Sequence, residues 1–252
     1  MPMSEPPAEW DAVFFDIGGV IVSLPSIRAG YVDYVEAFAE ARGLDPEWAL
    51  DAWRDRLGEH FHAAEGREYR SAMDGYRKAF RHIVDGDLEE SAWRPDFERT
   101  LRASRELEPN AAETIHALDD AGLYLGIVSD IDTADARRML EDQGFDVAFD
   151  GVTTSQEVGY KKPDARMFED ALSTAERHGV DPARSLMVGD RYEHDMQGGT
   201  EAGLWTVAYG GTAAGNVADA HRDGSRVDDE YVDFVVEDLA EILDIVGADG
   251  GN

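Results

Sequence analysis

The sequence feature that most constrains the fold is a short apolar run at residues 13–15 that ends in a carboxylate. Asp16 follows this run directly, and Gly18 and Gly19 follow within three residues. A buried β-strand followed by a tight turn has this pattern. Because an unpaired carboxylate is costly to bury, we expect Asp16 at the carboxyl end of the strand, in a cleft where a cation is its partner.

Two later apolar segments end in the same way. Residues 123–128 run into Ser129 and Asp130, and residues 185–189 run into Asp190. In an open parallel α/β sheet, ligands bind outside the carboxyl ends of the strands. The sequence therefore predicts that Asp16, Ser129 and Asp190 converge on one site.

Strand-like and helix-like segments alternate from residue 106 onwards. This alternation is typical of βαβ units, so the predicted fold class is α/β, a Rossmann-like parallel sheet with helices on both faces. Residues 210–230 are rich in Gly, Ala and Asp and are predicted to form a surface loop. The predicted strands are 123–128, 147–154, 185–189, 204–209 and 231–236, and the predicted helices are 110–121, 133–143, 163–178 and 239–246.

The region between residues 25 and 105 has a different character. It shows several amphipathic helical patterns and no convincing strand, which predicts an inserted all-helical cap domain over the carboxyl ends of the strands. The α/β core domain is then expected to comprise residues 11–24 and 106–252. Residues 1–10 contain three prolines and no periodic pattern, so we expect a flexible arm there.

Composition excludes several classes of function. The chain has no cysteine, which excludes disulfides, thiolate nucleophiles and cysteine-based zinc sites. Its 54 acidic residues against 23 basic ones give a net charge of −31, which would repel nucleic acid and anionic membranes. An acid excess spread along the whole chain favours adaptation to molar salt over the alternative, an ordinary acidic protein. Such adaptation predicts a fold that weakens in dilute buffer.

The sequence also supports expectations about the location and the oligomeric state of the protein. No stretch of about 18 apolar residues is present, as a membrane-spanning helix would need. Residues 1–9 lack the basic and apolar regions of a signal peptide, so we expect a cytoplasmic protein. We expect a monomer or a homodimer.

Four segments of the chain together resemble the four motifs of the haloacid dehalogenase superfamily of hydrolases. They are residues 15–20 around Asp16, Val128-Ser129, Lys162-Pro163-Asp164, and residues 189–195, which contain Asp190 and Asp195. The segments occur in the family's order and at sensible spacing. By its position alone, the helical insertion resembles the family's first-type cap.

The resemblance implies a phosphatase that acts through an aspartyl phosphate. Asp16 would be the nucleophile that attacks phosphorus, which splits one difficult displacement into two easier ones. Ser129 would donate a hydrogen bond to the phosphoryl oxygens, and Lys162 would neutralise charge on them and on Asp16. Asp130 would line the same substrate-binding site. The implied partner is a small-molecule phosphate ester, such as a sugar phosphate or a similar metabolite.

The resemblance also implies Mg²⁺ as the cofactor. Asp16, Asp190 and the backbone carbonyl of Gly18 would bind the ion, since hard oxygen ligands suit it. Asp195 would support the metal either directly or through another ligand. The cation would let the carboxylate of Asp16 approach a phosphate group by cancelling charge between them.

Gly18 departs from the family's phosphatase pattern. The position two residues after the nucleophile is normally a second Asp that protonates the leaving oxygen, and general acid–base catalysis contributes roughly 10²- to 10⁴-fold in rate. Either Asp130 or the histidines His60 and His62 are candidates to supply the missing acid. Two other functions therefore stay open: a phosphoester-binding or regulatory protein without turnover, and a 2-haloacid dehalogenase-like hydrolase in which Asp16 attacks carbon.

Overall fold

The structure, a computed structural model, describes residues 5–145, 148–217 and 223–248. The chain divides into two compact units. One unit comprises the chain up to Ile21 together with the chain from Leu107 onwards, and the other is Val22–Glu106. Among the helices within these described ranges, none is both long enough and apolar enough to cross a membrane.

Seven strands and eleven α-helices are formed by the described residues. The strands are β1 (Ala12–Phe15), β2 (Tyr124–Ser129), β3 (Gly151–Thr154), β4 (Ser185–Gly189), β5 (Trp205–Tyr209), β6 (Asp223–Arg226) and β7 (Phe234–Val236). The helices are α1 (Leu24–Glu40), α2 (Pro46–His62), α3 (Ala72–Ile83), α4 (Arg94–Ser104), α5 (Ala111–Asp120), α6 (Thr133–Gln143), α7 (Ser155–Val158), α8 (Ala165–Ala175), α9 (Gly198–Glu201), α10 (Gly211–Gly215) and α11 (Glu241–Val246).

The α/β unit contains a single seven-stranded sheet with the order β3-β2-β1-β4-β5-β7-β6. All neighbouring strands are parallel except the pair β6 and β7 at one edge, which is antiparallel. Helices cover both faces of the sheet, which confirms the predicted fold class. Since β1 lies between β2 and β4, the residues that follow these three strands meet at the middle of the carboxyl edge.

The prediction of a surface loop over residues 210–230 is wrong. This stretch contains helix α10 and the edge strand β6, and residues 218–222 lie outside the described part of the chain. The predicted strand 231–236 is shorter in the structure, where only Phe234–Val236 forms β7. A composition dominated by Gly, Ala and Asp carries no clear period, so tertiary contacts rather than local pattern determine these elements.

Helix α8 packs against the sheet and forms one part of the hydrophobic core with it. Met167, Phe168 and Ala171 recur at helical spacing and are buried with Phe14 of β1 and Met187 of β4. Two glycines make this packing possible. A Cβ on Gly126 would lie 2.4 Å from a ring carbon of Phe14, and one on Gly198 would lie 2.5 Å from a ring carbon of Phe168.

The end of the predicted flexible arm is anchored. The indole Nε1 of Trp10 donates a hydrogen bond to the carbonyl of Ile245 at 3.0 Å, and its ring packs edge-on against Trp205. Residues 1–4 lie outside the described residues. The expectation of a loose arm therefore fails at Trp10, because an aromatic side chain buries apolar area there.

The helical unit has its own aromatic core. Phe80 lies at its centre, with ring centroids 4.8 Å from Phe38 and 4.7 Å from Trp93. The hydroxyl of Tyr34 donates to the carbonyl of Trp93 at 2.8 Å, which satisfies a polar group inside this core. Most aromatic residues of this unit are thus packed against one another, whereas Trp48 is 49% exposed.

Candidate active site

Asp16 lies directly after β1 at the carboxyl edge of the sheet, and only 4% of it is exposed. Its backbone N–H donates to the carbonyl of Val188 at 3.0 Å, which fixes it beside the end of β4. Ser129 is the last residue of β2, and its hydroxyl donates to Asp16 Oδ1 at 2.7 Å. Asp190 follows β4. The structure thus brings the residues that follow these strands to one edge, as the sequence predicts.

The carboxylate of Asp16 is held in its ionised form. The backbone N–H of Ile17 and the hydroxyl of Ser129 both donate to Oδ1, while Lys162 Nζ and Arg191 Nη2 each lie 3.2 Å from Oδ2. Burial alone raises the pKa of Asp16, but the two cations and the hydrogen bonds outweigh it and lower the pKa to about 2. Asp16 is therefore a charged group with one oxygen facing two cations.

Lys162 is buried completely among oxygen atoms. Its Nζ donates to the carbonyl of Val128 at 2.6 Å and lies 2.5 Å from Asp195 Oδ1, in addition to its contact with Asp16. Burial lowers the pKa of Lys162, but Asp16 and Asp195 raise it further, so the net shift is upward. Of Lys161 and Lys162, the residue that directly precedes the proline is the one that reaches the site.

Asp16, Asp190 and Asp195 form a buried cluster of acids. One carboxylate oxygen of each lies within 4.8 Å of the others. Asp190 Oδ1 is buried and has no hydrogen-bond partner among residues 5–145, 148–217 and 223–248. Burial and the neighbouring Asp16 and Asp195 raise the pKa of Asp190 to about 6. Such a set of hard oxygen donors, one of them without a partner, fits a divalent cation such as Mg²⁺.

The turn after β4 positions Asp195 within this cluster. The backbone N–H of Arg191 donates to Asp195 Oδ2 at 3.0 Å, within the π-helical turn that continues to Gln197. A Cβ on Gly189 would lie 2.2 Å from Asp195 Cβ, so only glycine leaves room for this carboxylate. Helix α10 supports the same turn, because Ala213 N–H donates to the carbonyl of Asp190 at 2.9 Å.

Gly18 lies half-buried in the turn that follows Asp16. Its neighbour Gly19 has a φ of 83°, a left-handed conformation that favours glycine. Gly18 itself is not among the residues with a positive φ. The role of its carbonyl as a metal ligand stays a prediction.

Arg191 is a further residue of the site, which the four sequence motifs do not single out. Its guanidinium bridges Asp16 Oδ2, at 3.2 Å from Nη2, and Asp130 Oδ2, at 3.1 Å from Nη1. Asp16, Asp195, Asp130 and Asp190 together outweigh the effect of burial and raise the pKa of Arg191. Its position directly after Asp190 was the available signal, since a guanidinium suits oxyanions that it can contact through two nitrogens.

Both carboxylate oxygens of Asp130 contact other residues of the site. Oδ1 accepts a hydrogen bond from the backbone N–H of Lys162 at 2.9 Å, and Oδ2 pairs with Arg191. Asp130 therefore holds two cation-bearing residues in place. Its predicted contact with substrate, and its candidacy as the missing acid, stay predictions.

The two candidate histidines of the insertion have different surroundings. His60 is buried, with its Nε2 2.9 Å from the carbonyl of Ser71 and its Nδ1 3.0 Å from Lys78 Nζ. His62 is exposed at the end of α2. A catalytic contribution from either histidine stays a prediction.

Comparison with known proteins shows the family. Residues 10–203 match the family model described as haloacid dehalogenase-like hydrolase. The chain belongs to this family. The four motifs that suggested the resemblance thus lie within the matched part, and the activity class is that of a hydrolase.

Among relatives of this haloacid dehalogenase-like hydrolase, the glyceraldehyde 3-phosphate phosphatase of Methanothermobacter thermautotrophicus is 34% identical over 139 residues. That match covers 55% of the chain and 58% of the relative, so the chain spans little more than half of that protein. The pyrophosphatase PpaX of Bacillus velezensis is 33% identical over 237 residues, which cover 94% of the chain and 96% of the relative.

A solved structure supports the fold over nearly the whole chain. The haloacid dehalogenase phosphatase of Thermococcus onnurineus superposes with a TM-score of 0.67 at 24% sequence identity. The superposition covers 94% of this chain and 98% of that one. At this identity the likeness establishes a shared fold.

Proposed function

We propose that this haloacid dehalogenase-like hydrolase is a Mg²⁺-dependent phosphatase of small phosphate monoesters. The observation that carries the proposal is Asp16, an ionised carboxylate at the centre of the carboxyl edge, with a hydroxyl, an ammonium and a guanidinium around it. Relatives named as phosphatases and as a pyrophosphatase support the same class of chemistry. The cytoplasmic location and the monomeric or homodimeric state expected from the sequence are part of this proposal.

In the proposed reaction, a carboxylate oxygen of Asp16 attacks the phosphorus atom. The phosphorus–oxygen ester bond breaks, the leaving oxygen takes a proton, and the phosphoryl group is left on Asp16 as an aspartyl phosphate. A water molecule then attacks this phosphorus, which releases inorganic phosphate and restores the carboxylate. Ser129 and Lys162 donate hydrogen bonds to the phosphoryl oxygens as charge builds up on them.

Asp16, Asp190 and Asp195, with the carbonyl of Gly18, would hold the metal. The Oδ1 of Asp190 supports this assignment. Among the described residues, this buried oxygen accepts no hydrogen bond and has only a 3.9 Å contact with Arg191 Nε, and a buried carboxylate oxygen without a donor is costly. When bound, Mg²⁺ would reduce the repulsion between Asp16 and an anionic phosphate group. Lys162 contributes to the same end, since its Nζ contacts both Asp16 and Asp195.

The glycine at position 18 favours substrates with good leaving groups. A second acid would normally protonate the leaving oxygen, and Gly18 offers no side chain for that. Leaving groups that are stable as anions need this proton least. Phosphate monoesters of acidic alcohols and phosphoanhydrides are therefore expected to turn over faster than simple alkyl phosphates.

The test is release of inorganic phosphate from a panel of phosphate monoesters, with Mg²⁺ and in molar KCl. Asp16→Asn should abolish release, because an amide is not a nucleophile at phosphorus. Asp51→Asn is a matched control, since Asp51 is an exposed acid of the helical unit with a 3.6 Å contact to Arg54. Full activity of Asp16→Asn would refute Asp16 as the nucleophile.

Gly18 also favours a second candidate, a phosphoester-binding protein without turnover. In that case a phosphate ester would raise the melting temperature while no ester in the panel is hydrolysed. The third function, carbon attack on a 2-haloacid, is disfavoured by the cluster of three acids with a partnerless oxygen, which carbon displacement does not need. A 2-haloacid assay without metal tests it directly.

A further inference from the structure

A cavity of about 390 Å³ lies within the helical unit and is lined mostly by basic side chains. The lining residues are Arg56, Glu59, His60, Ala63, Arg70, Lys78 and His82. One acid thus faces three cations and two histidines, in a chain whose net charge is −31. The lining of this cavity is therefore positively charged, whereas the molecule as a whole is negatively charged.

The cavity is formed where α2 and α3 pack closely. A Cβ on Gly75 would lie 2.8 Å from Leu57 Cδ2 and 3.0 Å from His60 Cδ2, so the absence of a side chain lets the two helices approach. Lys78 lies one turn further along α3, and its Nζ reaches His60 Nδ1 at 3.0 Å. The close approach at Gly75 therefore positions Lys78 at the cavity.

His60 supports Lys78 without neutralising it. Burial lowers the pKa of His60, which keeps the imidazole uncharged. In that form Nε2–H donates to the carbonyl of Ser71 and Nδ1 accepts a hydrogen bond from Lys78. Lys78 is thus oriented by an uncharged group rather than by a carboxylate.

Two of the cations at the cavity have no acidic partner. Within the described part of the chain, no carboxylate forms an ion pair with Lys78 or Arg70. Arg70 instead donates through Nη2 to the carbonyl of Ala63 at 2.5 Å. Other arginines of the same unit do pair with acids, for example Arg99 with Asp96 at 2.7 Å. Cations left unpaired amid a large excess of acids are available to an external anion.

We propose that this cavity binds a phosphate dianion, either inorganic phosphate or the phosphate group of a small organic molecule. Lys78 and Arg70 would contact its oxygens, and Arg56 would add a third positive charge, although it also pairs with Glu59 at 2.7 Å. Arginine and lysine are the side chains that bind phosphate oxygens best. A volume of about 390 Å³ is that of a small-molecule site. The inference does not depend on the proposed catalytic function.

The experiment is a titration of the whole 252-residue chain with inorganic phosphate, followed through the imidazole NMR signals of His60. Ionic strength is held constant with KCl, so that screening does not change during the titration. We expect a saturable shift of the His60 signals, because phosphate would contact the Lys78 ammonium that His60 orients. His60 lines this cavity, so its signals report on phosphate that binds there.

Two variants test the cations. Arg70→Gln leaves the contact between Lys78 and His60 in place, and the double variant Arg70→Gln with Lys78→Gln removes both unpaired charges. We expect binding to weaken at least tenfold in the double variant, as measured by calorimetry. The double variant Arg54→Gln with Arg99→Gln is the matched control, since it removes the same charge from exposed arginines of the same unit that pair with acids.

Three probes identify the ligand class. Tighter binding of inorganic phosphate than of methylphosphonate assigns the site to the free ion, and the reverse order assigns it to an organic phosphate. Acetate carries a single charge and should bind more weakly than both. The proposal is overturned if wild type shows no saturable shift, if the Arg70→Gln, Lys78→Gln variant binds phosphate as the control does, or if acetate binds as tightly as phosphate.

Discussion

At the scale of single residues, acids outnumber bases around Asp16. The acids are Asp16, Asp130, Asp190 and Asp195, and the bases are Lys162 and Arg191. Two positive charges leave two of the four carboxylates unneutralised when all are ionised. A divalent cation would supply the missing charge. Burial, and after it repulsion from the neighbouring carboxylates, raises the pKa values of Asp190 and Asp195, and a bound cation would relieve that repulsion.

The first prediction concerns the pH dependence of metal binding. The pKa of Asp190 is about 6 without metal, so below that pH a proton competes with the ion for the carboxylate. The apparent Kd for Mg²⁺ should therefore rise by about tenfold for each pH unit below 6 and level off above it. Calorimetric titration between pH 5 and pH 8 measures this. A Kd that is flat across the range would contradict the assignment of Asp190 as a ligand.

The second prediction concerns the missing acid. Gly18 lies outside the left-handed region, so its backbone is compatible with a side chain. Gly18→Asp should raise the hydrolysis of alkyl phosphates by up to about 10²-fold, because it supplies a proton to a poor leaving group. Hydrolysis of p-nitrophenyl phosphate should change far less, since its leaving group needs no proton. An equal loss of kcat on both substrates would show instead that position 18 requires glycine.

At the scale of elements, the central strands of the sheet could be predicted from the sequence. Short apolar runs that end in Asp16, Ser129 and Asp190 indicated strands whose carboxyl ends meet, and the structure brings these residues together. Helix α6 was predicted with its observed bounds, because Gly144 ends it in a left-handed conformation with a φ of 77°. Local sequence pattern is sufficient to predict an element where the spacing of its apolar residues and the residues that begin and end it indicate the same bounds.

Other parts of the site and fold could not be predicted because tertiary contacts determine them. The position of Arg191 directly after Asp190 indicates that it lies near the site, but only the fold shows that its side chain reaches Asp16 and Asp130. Helix α10 contacts the carbonyl of Asp190 through a backbone N–H, a partner about twenty residues away in the chain. Neither contact leaves a periodic signal in the sequence.

The third prediction concerns the turn between β4 and Asp195. Gly189→Ala places a Cβ 2.2 Å from Asp195 Cβ, so Asp195 must shift. We expect this overpacking to cost about 1–3 kcal/mol in the free energy of unfolding and to weaken Mg²⁺ binding. Denaturant unfolding and calorimetric Mg²⁺ titration measure the two effects.

A matched control lies in helix α2. Gly58 has open space where its Cβ would be and no positive φ, so Gly58→Ala should stabilise the protein by about 0.5–1 kcal/mol. Metal binding should be unchanged in this variant. Unaltered stability and metal affinity in Gly189→Ala would contradict the account of how Asp195 is positioned.

At the scale of the whole molecule, the dominant property is the net charge of −31. Self-repulsion of like charges destabilises a compact state, and salt reduces it as the screening length falls from about 10 Å at 0.1 M to about 3 Å at 1 M. The fourth prediction is that the melting temperature rises steadily between 0.1 M and 2 M KCl. Calorimetric unfolding at fixed pH measures it, and a constant or falling melting temperature would contradict adaptation to salt.

The central claim is that the carboxylate of Asp16 carries the phosphoryl group during turnover. Its most direct test is to quench the enzyme during hydrolysis with borohydride, which reduces an acyl phosphate to an alcohol, and to sequence the peptides by mass spectrometry. We expect homoserine at position 16 when substrate and Mg²⁺ are present, and unmodified Asp16 when substrate is omitted. Steady release of phosphate with Asp16 unmodified, or with the reduction at another acid, would contradict it.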